Sequence, residues 1–249
     1  CETLNIDKFK VTNTNSPLHW GQKYEPVSIL YYESIYSTKV DEFGCIPHSK
    51  YSFIAASPDG IVCDQSSNLF GRMLEIKNVV SREITGIPKM EYWIQMQIQM
   101  EVCNLNECDF LETKFTEYLS QDDYLLDNET KYKGIILQFL NGDTPHYIYA
   151  PFGLTDISSR EYQEWESSKF QENQNLEFIT TLYWKLEKIS CVLVLRNKMW
   201  FNCIVNNIEN FWKILIDEKE SGKYLERKKN KRKYQHENNK QMSDFPNSG

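Results

Sequence analysis

The sequence has no apolar run near the eighteen or so residues that a membrane-crossing helix needs. CVLVL, residues 191–195, is among the longest. No membrane partner is therefore expected. It also has no C-x-x-C pair. Its seven cysteines stand at 1, 45, 63, 103, 108, 191 and 203. An odd number at scattered spacings reads as reduced thiols in an intracellular protein, not a disulfide framework or a cysteine-held metal. No internal repeat is visible, which argues against a solenoid. The chain begins with Cys rather than Met, so an upstream segment, a signal peptide included, is left open.

What is present is enough for a core. The 249 residues are 41% hydrophobic and 14% aromatic, which excludes a chain disordered throughout. The net charge of -7 is uneven. Residues 219–249 carry nine Lys/Arg against four Asp/Glu, and the rest carries nineteen against thirty-one. An acidic body argues against a general nucleic-acid coat protein, but not against an enzyme with a local basic groove. The composition predicts one domain over residues 1–222 and a basic, disordered tail over 223–249.

Residues 16–36 read as a helix, capped by Ser16 with Pro17 in its first turn. Pro26 predicts a kink or a break at Glu25. Residues 50–64 read as two short strands around a tight turn, and 72–80 as a strand. A helix is expected over 88–103 and a strand over 108–118. A hairpin turning at NGD is expected over 132–150. Residues 156–188 read as helical, CVLVLRNKMWFNC as a hairpin, and 204–219 as a last helix. The order implies an α/β (α+β) fold with a helical C-terminal part.

Two stretches carry charge where burial is expected: SPDGIVCD, residues 57–64, and LEIKN, residues 74–78. Alternation along a strand puts Glu75 and Lys77 on one face and Leu74 and Ile76 on the other. Asp59 lies at a strand–turn junction, free to aim at the charged face. Two converging carboxylates repel unless a cation lies between them, and hard oxygens suit Mg²⁺ or Mn²⁺. The backbone carbonyl of Ile76 is a candidate third ligand. Lys77 beside such an ion could orient a water, an arrangement suited to phosphodiester hydrolysis. Taken alone, E-x-K in a strand reads as an ordinary ion pair, and Asp in a PDG turn as a turn residue.

Three neighbours weigh against that plainer reading. Glu25 in WGQKYEP is flanked by aromatics. The helix YWIQMQIQM is apolar almost all round except for Gln95, Gln97 and Gln99, which therefore need partners. Arg82 follows the strand closely enough to hold a phosphate.

In this order, WGQKYE, SPDG, LEIK followed by SR, and YWIQMQ resemble the lambda exonuclease-like (YqaJ-type viral recombinase) nucleases of the PD-(D/E)XK superfamily. The resemblance covers roughly residues 16–118, with weaker support to about 215. It implies a restriction-endonuclease-like core, a central mixed sheet flanked by helices. It implies Asp59 and Glu75 as metal ligands with the Ile76 carbonyl, Lys77 as the catalytic lysine, and Glu25 as a helix carboxylate near the metal. Gln95 matches the family's helix glutamine, and Ser57 and Arg82 match positions near bound DNA. Gln97 and Gln99 are further candidates for DNA contact. The implied activity is Mg²⁺-dependent (or Mn²⁺-dependent) 5′-to-3′ exonuclease digestion of double-stranded DNA, in viral or phage recombination and repair. The implied partners are a single-strand annealing protein and two further copies in a homotrimer. A viral protein of this kind would work in the host cytoplasm or nucleus.

Three departures stand out. The spacer between Asp59 and Glu75 is long, so DQSSNLFG is expected to protrude. No arginine-bearing segment for a 5′ phosphate is recognisable before residue 16. KKNKRK in the tail is foreign to the nuclease pattern and suits nonspecific phosphate binding or a nuclear address. The alternatives are a structure-specific endonuclease or resolvase of the same fold, and a catalytically silent DNA-binding module. An iron–sulfur nuclease is disfavoured for want of a C-terminal cysteine cluster.

Overall fold

Ser16 opens the first helix, α1 (Pro17–Tyr36), as the cap pattern predicts. Its hydroxyl oxygen accepts from the His19 backbone N–H at 3.1 Å. The computed structural model describes Thr14 and residues 16–225. The segment before Thr14 and the KKNKRK tail lie outside the described residues.

The helix does not break at Glu25; it runs through Pro26. Proline removes the donor that the Gln22 carbonyl would have met. Burial on both sides of it offsets that loss: Tyr24, Val27, Ser28, Ile29 and Tyr32 are all buried. The Tyr149 hydroxyl also donates to the neighbouring Lys23 carbonyl at 2.7 Å.

Four short strands follow: β1 (Val40–Asp41), β2 (Ile46–Pro47), β3 (Ala55–Ala56) and β4 (Gly60–Val62). The expected pairing within 50–64 is not formed. β3 pairs with β2 in a separate two-stranded sheet, whereas β4 pairs with β1 and with β5 (Met73–Asn78). Ser57-Pro58-Asp59 carries the chain from one sheet to the other instead of folding it back. Pro58 has no N–H to give a ladder there.

The rest runs α2 (Met90–Cys103), β6 (Glu107–Glu117), α3 (Gln121–Leu126), β7 (Lys133–Asn141), β8 (Thr144–Tyr149), α4 (Arg160–Glu172), β9 (Glu177–Leu195) and α5 (Lys198–Ser221). Residues 177–188 are strand, not helix. β9 is rich in β-branched and aromatic residues such as Ile179, Thr180, Thr181, Tyr183 and Trp184, and it pairs on both sides, with β6 and β7. CVLVL is the end of that strand and KMWFNC begins α5, so the predicted hairpin there is absent. Among the described residues the chain divides after Lys198 into two compact units, the second holding the rest of α5.

The expected central mixed sheet flanked by helices is what the first unit forms. Its seven strands run β1-β4-β5-β6-β9-β7-β8. β5 and β6 are parallel, and α2 is the crossover that parallel pairing requires. Leu74 and Ile76 enter a core layer with Ile29, Tyr32 and Leu111. Met73, on the other face, packs with Met96 and Met100 of α2 and with Phe110. Asn78 ends β5 and ties it to α1. Its amide donates to the Gly21 carbonyl at 2.8 Å, and its oxygen accepts from Ser28 and Thr113 at 2.7 and 2.6 Å.

At the β7–β9 pair, Gly134 faces Trp184, and a Cβ there would lie 2.5 Å from the ring carbon Cζ2. Trp184 is buried beside Phe115 and Ile136 and cannot swing aside. Gly134→Ala should therefore lower unfolding free energy by about 1–3 kcal/mol in urea melts, through overpacking.

Candidate active site

β5 enters the charged face through Glu75, which has no solvent exposure. A buried carboxylate must be compensated. Lys77, two residues on and on the same face, forms an ion pair with Glu75 Oε1. Gln99 of α2 donates from Nε2 to Glu75 Oε2 at 2.8 Å, and to the Ser57 carbonyl at 3.3 Å. Both Glu75 oxygens are thus fixed in direction.

Asp59 approaches from the link between β3 and β4. Its Oδ2 accepts from the Ile76 backbone N–H at 2.6 Å. That N–H points toward β4, where the ladder pairs Leu74 with Gly60 and goes no further along β5. The N–H and carbonyl of one strand residue point the same way, so the Ile76 carbonyl faces the same open side. Burial first, and then the Glu75 charge, push the Asp59 carboxyl up to about 7. Glu25 reaches the same field from α1. Its pKa is also raised, by burial and then by Glu42 and Glu75. For Lys77, burial alone would lower the pKa, but Glu75 outweighs it and the net shift is upward. The lysine stays a cation at neutral pH.

These groups edge an open cleft of about 430 Å³, lined by Glu25, Asp59, Ile76, Lys77, Arg82 and Tyr92. Arg82 does lie at this cleft. The glutamines separate. Gln99 is the one that meets Glu75. Gln95, one turn earlier, lies with Ser57 and Gln99 on the wall of a separate, smaller pocket. Gln97 leaves the site: it is buried, its Nε2 donates to the Leu195 carbonyl at 3.0 Å, and its Oε1 accepts from the Asn197 N–H at 2.5 Å. It ties α2 to the end of β9, because a residue two places from Gln99 points to a different side of a helix. Ser57 is exposed and contributes its carbonyl to the Gln99 bond. Sequence reasoning passed over Tyr92, Asn78 and Glu42. Only the apolar setting of Tyr92 and the place of Asn78 at the strand end could have pointed to the first two.

The donor set can be tested against a divalent ion. Among the described residues no three His, Cys, Asp or Glu side chains gather into a metal centre by themselves. The two carboxylates are supplemented by other oxygens. Gln99 Oε1 is buried with no hydrogen-bond partner among the described residues. Hard oxygens, a raised Asp59 and an orphaned amide oxygen fit a hard cation with its waters.

Comparison with known proteins bears on this constellation. Residues 2–106 match the YqaJ-like viral recombinase domain. The family named from the motifs is the family matched, and the matched span includes Glu25, Asp59, Glu75, Lys77 and the glutamines of α2. The chain is also 30% identical over 243 residues to the uncharacterized protein R354 of Acanthamoeba polyphaga mimivirus. That alignment takes in 81% of this chain and 44% of the relative, so the chain spans less than half of that protein's length. Among solved structures, it is similar to an alkaline exonuclease (LHK-Exo) from Laribacter hongkongensis, at 20% identity and TM-score 0.42 over 87% of this chain and 76% of that one. It is similar also to a phage-related exonuclease from Haemophilus somnus 129PT, at 14% identity and TM-score 0.46 over 87% and 78%.

The raised Asp59 pKa has a signed consequence for the metal-free protein. The carboxyl holds its proton to higher pH folded than its ordinary value of 3.8 allows. Its contribution to stability is therefore complete below about pH 4 and is lost as pH rises through about 7. In a chelator, Asp59→Asn should be more stable than the wild type at pH 8 by about 1–4 kcal/mol, with the gain gone near pH 4. Thermal melts across that range check it.

Proposed function

We propose that this chain is a metal-dependent deoxyribonuclease that hydrolyses phosphodiester bonds of double-stranded DNA, as a 5′-to-3′ exonuclease in viral or phage recombination and repair. The observation that carries the reading is the pairing of a fully buried Glu75 with Lys77 and Asp59 at an open cleft, inside the span that matches the YqaJ-like domain. A structural ion pair would need neither the second carboxylate nor the cleft.

Asp59, Glu75 and the Ile76 carbonyl would hold Mg²⁺ or Mn²⁺. The ion would supply activation of water at neutral pH and neutralisation of charge at phosphorus. The chain's own residues then have separable tasks. Gln99 fixes the Glu75 carboxylate, so its free direction is set before substrate arrives. Lys77, held as a cation by Glu75, faces the place where negative charge grows in the transition state and lowers its energy there. Glu25 adds a further carboxylate, suited to orienting the attacking water. Arg82 at the cleft suits a neighbouring phosphate. A homotrimer and an annealing partner accord with the family resemblance.

Lys77→Ala and Glu75→Gln should each reduce cleavage by about 10³-fold or more, with the far-UV circular dichroism unchanged. The assay is metal-dependent digestion of linear duplex DNA, labelled at each end in turn. Full activity in either variant would sink the mechanism. Equal activity on closed circular DNA would favour an endonuclease.

A further inference from the structure

Glu112 on β6 has no part in the machinery described so far, yet it is placed to control it. It pairs in register with Lys77 across the parallel β5–β6 ladder, so it shares the charged face. Its side chain is 2% exposed, and it sits behind the cleft wall rather than in it. Oε1 lies 2.5 Å from Arg82 Nη2 as a close ion pair, although Nη2, itself buried, has no aligned hydrogen-bond partner among the described residues. Oε2 is buried with no hydrogen-bond partner among the described residues. A buried carboxylate supported this thinly depends on its one cation.

Arg82 is held from two further directions. Its guanidinium lies 5.5 Å from the centre of the Tyr92 ring, and Lys77 Nζ lies 5.3 Å from the same ring. Nη1 donates to the adjacent Glu83 carbonyl at 3.2 Å. An arginine has five N–H donors in a fixed fork. The described contacts use part of that fork, and the side chain is 26% exposed at the cleft. Without Glu112, a long side chain on the loop after β5 would have many rotamers to choose from.

We propose that Glu112 is a positioning residue: it anchors Arg82 from behind, so that the guanidinium is fixed at the cleft mouth to hold a phosphate of the DNA strand next to the one cleaved. This rests on the duplex-DNA reading above. Tyr92 is the spacer that keeps the two cations apart, one for the reacting phosphate and one for its neighbour. A purely structural ion pair would instead affect stability alone.

The test is a double-mutant cycle on Glu112→Gln and Arg82→Ala, read by two quantities. One is the Kd for a blunt duplex by fluorescence anisotropy in Ca²⁺, with its salt dependence; the other is KM and kcat of cleavage. Arg82→Ala should weaken binding about tenfold and reduce the salt slope by about one. Glu112→Gln should weaken Kd and KM by a similar factor with kcat within about threefold, and the double variant should bind no worse than Arg82→Ala. Glu112→Asp, which keeps the charge but retracts it, should also lose affinity; this variant decides if Glu112→Gln fails to fold. Additive losses, or wild-type Kd in the Glu112 variants with only the melting temperature lowered, overturn the proposal. A wild type that binds duplex DNA without cutting it refutes the nuclease reading and leaves the Kd cycle to decide this one. A wild type that does not bind duplex DNA refutes both.

Discussion

Glu75 is a carboxylate with no access to water, and the rest of the site answers to it. A lone buried anion would cost several kcal/mol or simply take up a proton. Here Lys77 pairs with one oxygen and Gln99 donates to the other. Asp59 then adds a second negative group nearby and is itself driven toward neutrality. The protein groups thus compensate Glu75 but leave the Asp59 charge poorly met, which favours a cation. The strain is electrostatic, local and confined to the end of one strand.

The fold serves that strand end. β5 has β4 on one side, but the ladder stops at the Gly60–Leu74 pair, leaving the backbone of Ile76 to Asp59 and the cleft. α1 is tied to the same end through Asn78 and carries Glu25 past it. α2, the crossover helix, places Gln99 over Glu75 from the other face while Met96 and Met100 anchor it in the core. The ordering of β5, α2 and β6 in sequence is thus also the ordering of acid, amide and supporting carboxylate in the site. Tyr92 on the first turn of α2 adds a π face to two cations at once.

Much of this was legible from residue pattern. The alternation in LEIK put Glu75 and Lys77 together, because strand period two is rigid. Ser16 and Pro17 marked the start of α1, because an N-cap is a local interaction. What was not legible depended on tertiary context. Nothing local says that α1 survives Pro26; the buried faces around it decide that. The stretch EFITTLYWKLEK was read with the helix before it, although its Ile, Thr and aromatic content already leaned to strand. Helix spacing already put Gln95 and Gln99 on one face and Gln97 roughly opposite, but did not identify their partners. The packing of β9 and β5 decides those: Gln97 bonds the Leu195 carbonyl, and Gln99 rather than Gln95 meets Glu75. Glu112 was indistinguishable from any strand carboxylate until the register set it beside Lys77.

The central claim is that the charges at the end of β5 are completed by one divalent ion. Anomalous scattering from crystals grown with Mn²⁺ tests it most directly. The account predicts a peak within about 2.0–2.3 Å of Asp59 and Glu75 carboxylate oxygens and of the Ile76 carbonyl, and its absence from crystals of Glu75→Gln. An ion found elsewhere in a protein that still cleaves DNA, or no ion at this strand end under those conditions, would contradict it.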